Sequence, residues 1–345
     1  MITIYSEDHR LQNGKFELID GQLMPPFECP QRAENVLARV GEVGLGEVRG
    51  PDDFGLDPVR RVHAPEFVAF LRTAHDEWKA AHGDTDALPL NWPCRGFRQK
   101  LPDSIDGRLG YYSFDAGTPI TAGTWTAITS SANVALTGAK LLKESGDHAV
   151  FSLCRPPGHH AARDLYAGYC FFNNVAVAAE WHRDQGAGKV AILDVDYHHG
   201  NGTQMIFYDR ADVLFVSLHG HPAQEYPFFL GFEDETGDGD GDGFNANYPM
   251  RWGTGWDDYG HALDRGITRI AEYGPDVLLV SLGVDTFKKD PISHFKLESE
   301  DYLEIGRRIA GLGLPTQFVM EGGYAIDDIG VNTVNVLIGF EAAGC

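Results

Sequence analysis

Six short runs of the chain are apolar at nearly every position: 2–5 (ITIY), 148–153 (HAVFSL), 189–195 (KVAILDV), 212–218 (DVLFVSL), 276–282 (DVLLVSL) and 315–320 (PTQFVM). Strands that face solvent on one side alternate polar with apolar residues. Runs without that alternation are expected where helices cover both faces of a parallel sheet. Between them lie stretches with apolar residues at helical spacing: 31–40, 65–81, 123–142, 173–184, 258–273 and 301–313. Strand and helix in turn predict an α/β fold, an open and mostly parallel sheet flanked by helices, over one domain spanning 1–345. There is no internal repeat and no long linker.

Two segments interrupt the rhythm. Residues 82–109 include LPLNWPCRGFRQKLPDSIDG and are read as an extended loop, of a length that in a compact domain usually serves function or an interface. Residues 236–244 (TGDGDGDGF) alternate Asp and Gly but lack the closing glutamate of an EF-hand, so they are read as a turn.

The strand ends carry the chemistry. The run CRPPGHHA (154–161) follows the second strand, DVDYHH (194–199) ends the third, LGVD (282–285) follows the fifth and EGGY (321–324) the sixth. Open α/β sheets bind ligands beyond the carboxyl ends of their strands, so the four runs are expected on one rim. Asp196 and His198 alternate in extended chain and can face the same side. With Asp285 they form a two-carboxylate, one-imidazole set that leaves a coordination position open, as a catalytic zinc site requires. His159 and His160 are candidates to move protons, and Asp194 and Asn201 candidates to bond their rear nitrogens. Tyr324, behind two glycines, is placed to donate to a developing oxyanion.

Composition changes this picture little. With 28 Lys and Arg against 50 Asp and Glu, the net charge is −22, which argues against a nucleic-acid partner. The acid serves solubility or steers a cationic substrate. No apolar run approaches a membrane span, and the N-terminus lacks a secretory pattern, so a cytoplasmic protein is expected. The five cysteines (Cys29, Cys94, Cys154, Cys170, Cys345) form no CxxC pair, which supports neither a disulfide framework nor a thiolate metal site.

Taken together, RPPGHHA, GYCFFNN, DVDYHHGNGTQ, VSLGVD and MEGGY closely resemble the zinc-dependent deacetylases of the arginase–deacetylase superfamily, along essentially the whole chain. SEDHRLQNGKFEL and PDSIDGRLGYYS favour its bacterial acetylpolyamine amidohydrolase branch. The resemblance implies that Asp196, His198 and Asp285 hold one Zn²⁺ and that Tyr324 polarises the acetyl carbonyl. It makes His160 the general base and acid, with His159 an electrostatic helper bonded to Asp194. It further implies a structural K⁺ or other monovalent cation at Asp194, Asp196, His198, Ser217 and Leu218, and a second at Phe207, Arg210, Val213 and Phe244. Tyr169 and Tyr226 would wall a tunnel lined by Gly168; relatives often carry phenylalanine in place of Tyr226. Glu17 would meet the ammonium group of a small cationic acetylated amine at the tunnel mouth, with Asp106 on the long loop doing similar work. That loop would build a homodimer that narrows the entrance.

Three alternatives stand beside this reading. A protein lysine deacylase would share the chemistry and differ in substrate. A ureohydrolase with two manganese ions would need carboxylates where Gly200 and Gly283 stand. A non-catalytic polyamine or metal sensor would tolerate loss of His160 or Tyr324.

Overall fold

In the computed structural model, which describes residues 1–19 and 21–344, the six apolar runs all form strands. The order along the chain is β1 (Ile2–Ile4), β2 (Glu17–Ile19), β3 (Gln22–Met24), α1 (Gln31–Val43), β4 (Val48–Arg49), α2 (Asp57–Val62), α3 (Pro65–His82), α4 (Ile105–Tyr111), α5 (Thr124–Ser145), β5 (Ala149–Ser152), α6 (Asn174–Asp184) and β6 (Val190–Asp194). Then come α7 (Asn201–Phe207), β7 (Val213–Gly220), β8 (Asn245–Met250), α8 (Trp256–Tyr273), β9 (Val277–Leu282), α9 (Asp301–Ala310), β10 (Thr316–Met320) and α10 (Ile329–Ala343). Cys345 lies outside the described residues; the other four cysteines are free thiols, Cys154 and Cys170 among them buried.

Eight strands make one parallel sheet in the order β4-β1-β5-β10-β9-β6-β7-β8. Each central strand divides its side chains between two cores. Leu193, Leu214, Val216, Leu278 and Val280 face α1, α8, α9 and α10, whereas Val190, Ile192, Phe215, Val277 and Leu279 face α5 and α6. Burial on both faces is the physical reason these strands show no polar alternation. A third core, built on Phe67, Phe70, Leu109, Tyr112, Tyr166 and Phe171, packs α3 and α4 beneath the loop that leads into α6. Asn173 caps α6 by accepting from the Ala176 amide at 3.0 Å.

Several elements depart from the pattern-based expectation. The carboxyl end of the long loop is helical: α4 begins at Ile105 behind the cap residue Ser104, whose hydroxyl accepts from the Gly107 amide. Residues 83–104 have no helix or strand, apart from one bridge between Ala87 and Ile120. α10 is buried around most of its circumference against α9 and α1, so its sequence carries no helical alternation of polar and apolar residues. β8 is polar and contains Pro249, as suits the sheet edge it forms. The Asp–Gly segment folds as a turn with one short 3₁₀ stretch, Gly239–Gly241. Among the described residues no helix is long and apolar enough to cross a membrane.

Candidate active site

The four motif-bearing strands β5, β10, β9 and β6 are consecutive neighbours in the sheet. Their carboxyl ends therefore open side by side, and the loops leaving them meet. The β6 loop sends Asp196 and His198 to one point, and the β9 loop sends Asp285 to the same point. Their ligand atoms lie within 4.8 Å of one another. His198 Nδ1 stands 2.9 Å from Asp285 Oδ2 and 3.6 Å from Asp196 Oδ1.

Backbone amides hold the carboxylates from behind. Asp196 accepts from the His198 amide at 2.9 Å and the Gly322 amide at 2.7 Å, and Asp285 from the Tyr197 amide at 2.7 Å. Gly322 gets that close because it has no side chain: a Cβ there would lie 2.5 Å from Asp196 Oδ2 and 2.6 Å from Asp285 Oδ2.

The electrostatics fit a divalent cation. Asp196 and Asp285 are both fully buried, and burial followed by repulsion from Asp196 lifts the Asp285 carboxyl to about 8. Asp196 is driven the other way: burial opposes its charge, yet His159 and His198 hold it well below the usual carboxylate range. Two buried acids crowded about one imidazole nitrogen make a donor set whose charge a divalent ion neutralises.

The β5 loop supplies the proton-handling pair. Its two rings are 4.0 Å apart between centroids, yet their surroundings differ. His159 Nδ1 lies 3.0 Å from Asp194 Oδ2. Burial pulls this imidazole down, but Asp196 and Asp194 outweigh burial and lift it to about 10. His160 Nδ1 lies 2.7 Å from Asn201 Oδ1, and the Asn201 amide nitrogen donates to the His160 carbonyl. An amide oxygen only accepts, so Nδ1 carries the hydrogen and Nε2 is left free as a base. Burial, with repulsion from His159 and His198, holds His160 well below its ordinary value, so it is neutral.

Tyr324 completes the rim. Its amide donates to Asp290 Oδ2 at 2.7 Å, and the Arg32 guanidinium lies 4.7 Å from its ring centre. Burial keeps the phenol well above its usual value, hence protonated and able to donate. The Tyr169 ring meets Tyr324 edge-on at 5.6 Å, and the Tyr226 ring meets His160 edge-on at 5.1 Å. Gly168 passes beneath His160 so closely that any side chain would strike the ring. The expected walls are thus beside the expected chemistry.

Not every expected residue gathers here. Glu17 is buried rather than on a solvated face, with Oε1 accepting from the Phe27 amide at 2.8 Å. Burial is the main cause lifting its carboxyl to about 6, and the Tyr169 phenol is its nearest polar neighbour in the wall. Asp106 stands on the exposed first turn of α4, 2.9 Å from His82 Nε2. Ser217 pairs with Asp194 across β6 and β7, with Leu218 next along the strand, so the first monovalent-cation set is adjacent in space. Phe207 ends α7, Val213 begins β7 and Phe244 precedes β8, with the Arg210 amide bonded to the Phe207 carbonyl.

The pattern reading also missed residues. Glu321 is buried, and its Oε2 accepts from the amides of Gly158 and His159 at 2.6 and 3.1 Å, tying the β10 loop to the β5 loop. Arg155 grips Glu28 with two nitrogens at 2.8 and 2.9 Å, and Arg32 joins the same carboxylate at 2.9 Å. Arg32 also donates to the carbonyls of Glu321 and Gly323. Glu321 and Arg155 lie inside quoted motifs, but only proximity in space reveals these bonds.

A second pair of metal-bridging acids has no room. A side chain at Gly283 would collide with the Asp196 carboxylate, and one at Gly200 with Asp194. The binuclear ureohydrolase alternative fails on this geometry.

Residues 26–338 match the histone deacetylase domain family. The chain belongs to the histone deacetylase family. It is accordingly a metal-dependent hydrolase that removes acyl groups from amides. Acetylpolyamine amidohydrolase 2 of Pseudomonas aeruginosa is 64% identical over 341 residues, covering 99% of each chain. The acetylpolyamine amidohydrolase of Mycoplana ramosa is 53% identical over 339 residues, covering 98% of this chain and 99% of that one. Among solved structures, an acetylpolyamine aminohydrolase from Burkholderia pseudomallei superposes with a TM-score of 0.94 at 36% identity over 99% of both chains. The arginase–deacetylase architecture expected from the motifs is the one this family member has.

Proposed function

We propose that the protein is a zinc-dependent deacetylase of acetylated polyamines, releasing acetate and a free amine. The observation that carries this reading is the meeting of Asp196, His198 and Asp285 with a neutral His160 and a protonated Tyr324 at four adjacent strand ends. The substrate class is supported by full-length relatives named for acetylpolyamines and by the acidic balance of the chain, which favours a cation.

Asp196, His198 and Asp285 would hold the ion, and one nitrogen with two carboxylate oxygens suits zinc. When bound, such an ion polarises the acetyl carbonyl and makes water more acidic. The rest falls to the chain's own groups. His160 Nε2 takes a proton as water adds to the acetyl carbon. The Tyr324 hydroxyl donates to the oxyanion that forms as the C–O π bond opens. His160 then passes its proton to the nitrogen as the C–N bond breaks and acetate leaves. His159, positively charged against Asp194, stabilises negative charge nearby. A monovalent cation at Asp194, Asp196, His198, Ser217 and Leu218, and another at Phe207, Arg210, Val213 and Phe244, would stiffen the strands behind the ligands.

Gly168, Tyr169 and Tyr226 form the passage for the substrate's chain, with Glu17 acting through Tyr169. Leu90 and Phe97 on the segment 83–104, and Leu23 on β3, are largely exposed at 74%, 68% and 65%. Covering them in a homodimer would remove that apolar surface from water and narrow the entrance, with Asp106 nearby to meet a cationic substrate.

A substrate panel on zinc-loaded protein tests the reading. Acetylputrescine and acetylspermidine should be cleaved with kcat/KM at least about tenfold above acetyl-lysine peptides. A preference for peptides would establish the lysine deacylase instead. Turnover unchanged after complete zinc removal would overturn the chemistry.

A further inference from the structure

The turn that precedes α5 holds both walls of the passage at once. Asp115 Oδ2 accepts from the Gly168 amide at 2.6 Å and from the Tyr226 hydroxyl at 2.9 Å. Its Oδ1 accepts from the Gly117 amide and the Thr118 hydroxyl, both at 3.1 Å. Thr118 in turn accepts from the Tyr169 amide at 2.9 Å, and the neighbouring Phe114 stacks on the Tyr226 ring at 5.9 Å.

Three features make this arrangement more than packing. Tyr169 has left-handed backbone, with φ of 66°, an uncommon conformation for a residue with a bulky side chain, so the wall it forms is held by outside bonds. Tyr226 belongs to a separate loop, after β7, and stands edge-on to both His160 and His198. The one bond that joins the two walls through a shared atom depends on a hydroxyl that a phenylalanine would lack. A bond from a phenol to a half-buried carboxylate is of the charge-assisted kind.

We propose that Asp115 is a positioning residue that clamps the two walls together, and that the Tyr226 hydroxyl makes the enzyme selective for acylated amines on slender, unbranched chains. The clamp fixes the width of the passage beside His160. The slender class includes acetylated polyamines, and in that respect the inference rests on the function proposed above.

The test separates width from charge. kcat and KM are measured on zinc-loaded protein for N-butylacetamide and N-(cyclohexylmethyl)acetamide, two neutral substrates of different girth, and for acetylputrescine. Wild type should favour the slender neutral amide. Tyr226→Phe should lower that preference about fivefold, chiefly through KM, with the melting temperature little changed. Asp115→Asn, which keeps the size and loses the charge, should lower it further, and Asp115→Glu should not restore it. If Asp115→Asn does not fold, Tyr226→Phe alone decides. A slender-to-bulky ratio unchanged in Tyr226→Phe, or both substrates slowed in equal proportion, would overturn the clamp. Failure of wild type to prefer acetylputrescine over an acetyl-lysine peptide would sink the polyamine reading and leave the neutral pair as the test of width.

Discussion

The chain has two histidine pairs at strand ends, His159–His160 after β5 and His198–His199 after β6, and they are used unequally. In the first pair each ring has a different partner: a carboxylate favours the charged form of His159, and an amide oxygen meets the Nδ1 of His160. In the second, His198 turns to Asp196 and Asp285, whereas His199 points the other way and packs against His219 at 4.4 Å. Both nitrogens of His199 are buried with no close hydrogen-bond partner among the described residues, and burial, with repulsion from His219, holds it well below its ordinary value. The same dipeptide thus gives two differently partnered rings in one loop, and in the other a ring facing two carboxylates beside a packing ring. What a histidine does is set by what its rear nitrogen meets.

Breaking the pairs one ring at a time should reproduce this ranking. His198→Ala should have the largest effect: zinc affinity measured by competition with a chelator should fall by at least about a hundredfold, and turnover should be lost with it. His160→Ala should lower kcat by roughly a thousandfold while the protein still holds one zinc by metal analysis. Tyr324→Phe, which removes only the donor opposite the pair, should cost about a hundredfold in kcat, again with metal retained. Near-normal rates in either of these two would favour the sensor. His199→Leu should leave kcat within about threefold of wild type, since it removes buried polar atoms with no close hydrogen-bond partner among the described residues.

The smallest effect concerns the wall. Glu17 has its folded-state value raised to about 6 by burial. A carboxyl raised on folding favours the native state while protonated, below its unfolded value near 4.5, and that stability is lost as pH rises through 6. Glu17→Gln should therefore raise the melting temperature at pH 8 by about 1 °C, with the difference gone by pH 4.5. A variant less stable than wild type at pH 8 would mean the charged form is held by partners that outweigh burial.

The central strands were legible because each is buried on two faces and shows it residue by residue. Their ends were legible because metal and proton chemistry draws on few side-chain types. Hence Asp196, His198, Asp285, His160 and Tyr324 could be named as candidates from sequence, and the structure brings Asp196, His198 and Asp285 to one point. α10 was hidden by the opposite circumstance: wrapped by other helices, it shows no polar face. The burial of Glu17 was not legible, because Tyr169 and the Phe27 amide that surround it are brought there by the fold.

Local pattern by itself determined which segments become buried strands and which polar residues must leave their ends, since both depend on neighbours along the chain. Only the tertiary structure decided which rear nitrogen meets an acid and which an amide, that Gly322 approaches both Asp196 and Asp285, and that Asp115 reaches both walls. Those outcomes come from groups far apart in sequence meeting at short range inside a medium that screens little. There a few tenths of a nanometre change a charge state.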